Sequence, residues 1–122
     1  MKYEKSECFK DKSYFFAIRI VKFYQFLKDE RREFILSKQV LRNRTSSGAM
    51  VEEAMQGESK MDFIHTLSIA NKEANETRYW IRLLKDTDFI DEKLSQSLIY
   101  DLEELIKLLV SIIKTTKNFN PK

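Results

Sequence analysis

Phe63, Leu67, Ala70, Ala74, Thr77, Ile81 and Leu84 recur at spacings of 4, 3, 4, 3, 4 and 3 in DFIHTLSIANKEANETRYWIRLL, residues 62–84. A helix turning once every 3.6 residues puts all seven on one face, whereas a strand of period two would scatter them over both. The stretch contains neither Gly nor Pro, so nothing in it interrupts several turns of helix. A second stripe of Ile69, Glu73, Glu76, Trp80 and Leu83 runs beside the first. Two carboxylates are therefore expected to border the packing seam. A seam this long needs other helices to cover it, and the rest of the chain is read as supplying them.

The whole chain supports an all-α fold. Two Gly and one Pro in 122 residues leave few positions for the tight turns of a many-stranded sheet. The length suits one domain, 1–122, and 43% hydrophobic residues are enough for a sizeable core. Helices are predicted at about 13–28, 33–55, 60–85 and 91–117. Residues 1–12 read as partly extended, with Ser13 capping the first helix; Ser59 and Asp91 are the expected caps of the third and fourth. Phe16, Ile20, Phe23 and Leu27 form the first helix's core stripe, and Phe15, Val21, Tyr24 and Phe26 make it apolar over more than one face. The fourth helix has Leu94, Leu98, Leu102, Leu105, Leu109 and Ile112, with Ile99, Ile106 and Ile113 beside them. These surplus faces suit either an inner core or a surface covered by another subunit. Short connections favour antiparallel neighbours, hence an up-down-up-down four-helix bundle.

Charge is uneven. Residues 1–50 carry 12 Lys/Arg against 6 Asp/Glu, and residues 51–122 carry 10 against 13, for a net charge of +3. Lys12, Arg19, Lys22, Arg31, Arg32, Lys38 and Arg44 are the candidate contacts to RNA or DNA, set against a plain reading as a solvated basic face. The single Cys8 cannot form an internal disulfide, the first residues have no apolar signal segment, and no stretch approaches a membrane span, so a soluble, cytoplasmic protein is expected.

The polar seam of the second helix supplies the remaining constellation. Folding it onto the third about residue 58 brings Arg42 level with Glu73 and Glu76, with Ser46 and Glu53 on the same seam. Arg42 is expected to pair with one or both glutamates, because its planar fork can serve two carboxylates at once. Such a structural cluster of Arg42, Ser46, Glu53, Glu73 and Glu76 would set helix register, with a ligand site as the less favoured reading. A di-metal site needs Glu-x-x-His pairs, and the chain has one histidine, His65, in no such pair. Cys8, Ser46 and Ser47 lack an evident base. No catalytic residue, metal or cofactor is assigned, and the chain is read as a non-enzyme.

LSKQVLRNRTSSGAMVEEA at 36–54 and the stretch at 62–84, together with DLEELIKLLVSIIKTTK at 101–117, resemble the four-helix-bundle family of S23 or 23S rRNA intervening-sequence proteins. The matching residues include Gln39, Arg42, Ser46, Gly48, Ala49, Glu53, Ala54, Lys72, Glu73, Ala74, Glu76, Thr77, Tyr79 and Trp80; Met50 departs from the Asn usual in the family. The resemblance implies an antiparallel bundle assembled as a homopentameric ring, with a role that is not established. It also implies, by way of accessory proteins of diversity-generating retroelements, possible partners in nucleic acid and a nucleic-acid enzyme.

Overall fold

The structure, a computed structural model, describes residues 2–42 and 59–118, with side chains from residue 8 onward. Among these residues it is all-α, with four helices and no strand. They are α1 (Lys2–Asp29), α2 (beginning at 36 and described as far as 42), α3 (Lys60–Asp86) and α4 (Glu92–Asn118).

The seam of α3 behaves as its spacing predicts. Leu67, Ala70, Ala74, Thr77, Ile81 and Leu84 are buried, and Phe63 is partly buried against the same core. The Thr77 hydroxyl loses water without loss of bonding, because it donates to the Glu73 carbonyl at 3.0 Å. Ser59 caps α3 by accepting from the Asp62 amide at 3.1 Å, and Asp91 caps α4 by accepting from the Leu94 amide at 2.8 Å. The turn between them places Asp88 at φ 70° and buries Ile90 under the core. On α4 the stripe from Leu98 through Ile112 is buried, with Ile99, Ile106 and Ile113 partly buried beside it.

Helix α1 starts earlier than the sequence suggests. Residues read as partly extended are helical from Lys2, and Ser13 lies inside the helix, 2% exposed, so it is no cap. The physical reason is Phe9. Placed at 2% exposure, it extends the core stripe to Phe9, Ser13, Phe16, Ile20, Phe23 and Leu27, with the small serine filling a tight position. Burial of that ring outweighs the weak helix preference of the polar residues around it.

Helix α2 begins later, at 36 rather than 33. Glu33 is not its first residue but its cap. The Glu33 carboxylate accepts from the amides of Ile35 (3.1 Å) and Leu36 (2.9 Å) through Oε2 and of Ser37 (2.7 Å) through Oε1. The Ser37 hydroxyl in turn donates to the Glu33 carbonyl at 2.9 Å. Three of the amide donors left open at a helix start are thereby satisfied by one side chain. The chain enters this cap through Arg32, at φ 56°, in the left-handed region where a Cβ is costly. Arg32→Gly is expected to raise stability by about 0.5–1 kcal/mol, read as a higher urea midpoint with an unchanged slope.

Helix α4 is central. It packs on both α1 and α3, which do not pack on each other among the described residues. Arg19 of α1 reaches Asp101, Arg78 of α3 reaches Glu103, and Lys60 at the start of α3 reaches the Lys117 carbonyl near the end of α4.

Candidate functional site

The sequence offered two polar groupings, and the structure treats them differently. In the basic set, Lys12, Lys22, Arg31, Arg32 and Lys38 are exposed, and Arg44 lies outside the described residues. Arg31 lies over the Phe26 ring, 5.3 Å from its centroid, which holds one cation near the α1–α2 corner. Arg19 is partly exposed and is engaged within the chain. Its guanidinium donates to Asp101 Oδ2 at 2.6 Å, to Ser97 Oγ at 2.6 Å and to the Ser97 carbonyl at 3.3 Å. The forked side chain thus ties α1 to α4, a use that one-dimensional spacing could not reveal because the partners are about eighty residues away. Arg19→Ala is expected to cost about 1 kcal/mol, and Arg19→Lys to recover only part of it, since a single ammonium cannot span both acceptors. Chemical denaturation of the two variants side by side measures the difference.

Of the expected Arg42 cluster, Arg42, Glu73 and Glu76 are among the described residues. Arg42 is exposed. Glu73 is half-buried and Glu76 exposed; Ser46 and Glu53, the other members of that cluster, lie outside the described residues, as do Gly48, Ala49, Met50 and Gly57. His65 is exposed, and so is Cys8, which stands on α1 rather than in an extended tail. Among the described residues no group of three His, Cys, Asp or Glu is arranged to hold a metal ion, and no helix is long and apolar enough to cross a membrane. Among the described residues two buried polar atoms, Trp80 Nε1 and Thr116 Oγ1, have no hydrogen-bond partner. They belong to different levels of the molecule, Trp80 next to the Arg78–Glu103 pair and Thr116 next to Lys117 at the far end, and do not form one site.

The surface carries a clearer feature. On α1, Tyr14 (63%), Ile18 (39%) and Val21 (38%) are exposed, and their spacing of 4 and 3 makes them one stripe. That stripe lies on the side of the helix away from Phe16, Ile20, Phe23 and Leu27. Next to it a groove of about 330 Å³ runs between α1 and α4. Phe15 and Tyr100 stand at its mouth, 69% and 66% exposed, and the buried Phe16 and Leu105 form its floor. Lys12, Arg19, Asp101 and Glu104 line it with both signs of charge. Sequence reading named Phe15, Val21, Tyr24 and Phe26 as apolar beyond the core stripe; of these Phe15 and Val21 are exposed, Phe26 is partly buried against the core, and Ile18 was not named. It did not find the groove, because Tyr100 joins Phe15 only once α4 lies beside α1.

These features define an all-α four-helix protein with exposed apolar and aromatic side chains along α1. The chain belongs to the 23S rRNA-intervening sequence protein family, whose sequence profile matches residues 5–111. Among solved structures it is similar to a protein of unknown function from the S23 ribosomal protein family of Bacteroides thetaiotaomicron VPI-5482. The two are 52% identical, the match covers 91% of this chain and 99% of that one, and the TM-score is 0.89. A comparison with curated proteins gives no match.

Proposed function

We propose that this protein is a non-enzymatic, self-assembling four-helix bundle that acts as a scaffold or interaction module in the cytoplasm. The observation that carries the reading is the exposed stripe of Tyr14, Ile18 and Val21 on the side of α1 remote from its core. Large apolar side chains in a row on a surface helix are the usual mark of a face that another molecule covers. The cross-helix contacts support an antiparallel, up-down-up-down arrangement. As α3 advances from Lys60 to Arg78, its partners on α4 fall back from Lys117 to Glu103. A homopentameric ring is the assembly that the family resemblance implies. The non-catalytic reading rests on how the polar groups are employed. Glu33, Arg19 and Arg78, the ones best placed to do chemistry, are spent on capping a helix and on tying helices together. Light scattering on a sizing column tests the reading. A mass of five protomers supports it, and a monomer at micromolar concentration sinks it.

A second reading is favoured by the α1–α2 corner, where Lys22, Arg31, Arg32 and Lys38 are all exposed. In this reading the corner binds RNA or DNA through phosphate contacts, and ring assembly multiplies a weak patch by avidity. A mixed RNA pool should then co-elute at 50 mM salt and separate at 300 mM, values on the order of those over which phosphate contacts are lost. Elution of RNA apart from the protein at low salt would leave only the scaffold reading.

A further inference from the structure

We draw no further inference here: the strongest candidate, the exposed apolar pair Phe34 and Ile35 at the α1–α2 corner, carries nothing, because the exposed Asp29 and Glu30 share that corner with Arg31, Arg32 and Lys38 and nothing in the structure shows what covers the pair.

Discussion

Leu102→Ala lowers the stability of the protein by about 3–5 kcal/mol, the upper part of the range for a leucine truncated in a packed core. Leu102 has no exposure, and its neighbours in sequence mark it as the midpoint of the structure. Asp101 on one side meets Arg19 of α1, and Glu103 on the other meets Arg78 of α3. The side chain between them therefore fills the space where α4 packs on both helices. Removing it leaves a cavity that neither helix can close without breaking its own polar tie to α4. Ile99→Ala, at a partly buried position on the same helix, should cost less, because water already reaches part of that side chain. Urea unfolding followed by circular dichroism checks both. Equal losses at the two positions would mean that Leu102 does not occupy a sealed core.

Glu33→Ala comes second, with an expected loss of about 2–3 kcal/mol. One carboxylate, 7% exposed, accepts from three amides at the start of α2. Its removal leaves those donors short of partners in a region partly closed to water. The cost combines the loss of a helix cap with the desolvation of unmet groups. Glu33→Gln should be intermediate, because the amide keeps one acceptor oxygen and loses the charge that strengthens each bond and complements the helix dipole. Amide hydrogen exchange locates the effect. Protection should fall first at Leu36 and Ser37, ahead of any change in α3 or α4, and a uniform fall across all helices would contradict a local capping role.

The contrast between these two residues shows how far the sequence could be read. Leu102 belongs to a stripe of regular spacing, and such stripes on α1, α3 and α4 named nearly the whole core, because burial on a helix is a matter of period alone. Glu33 belongs to no stripe. In the linear sequence it is one acid in the run DERRE, indistinguishable from the exposed Asp29 and Glu30. Only the turn through Arg32 aims it at the following amides. The pairing of Arg19 with Asp101 was not legible for a related reason. The spacing of Arg19 marks it as flanking the core stripe, where a solvated cation is the ordinary expectation, and its acceptors lie on a helix far along the chain. Phe9 was missed because a single aromatic among charged residues makes no repeat of its own, yet it continues the α1 stripe by one further step.

The sequence by itself determined the class of fold, the core faces of three helices and the caps of α3 and α4. All of these follow from contacts within a few residues or from helical period, which a chain carries before it folds. The tertiary structure alone decided which cations tie one helix to another and which are left to solvent. It also created the groove between α1 and α4. Arg19 meets Asp101, and Phe15 comes to line one groove with Tyr100, only when residues more than eighty positions apart are brought together by the packing of α1 on α4. No local pattern encodes that meeting, because it is set by how the buried stripes of α1 and α4 settle against each other.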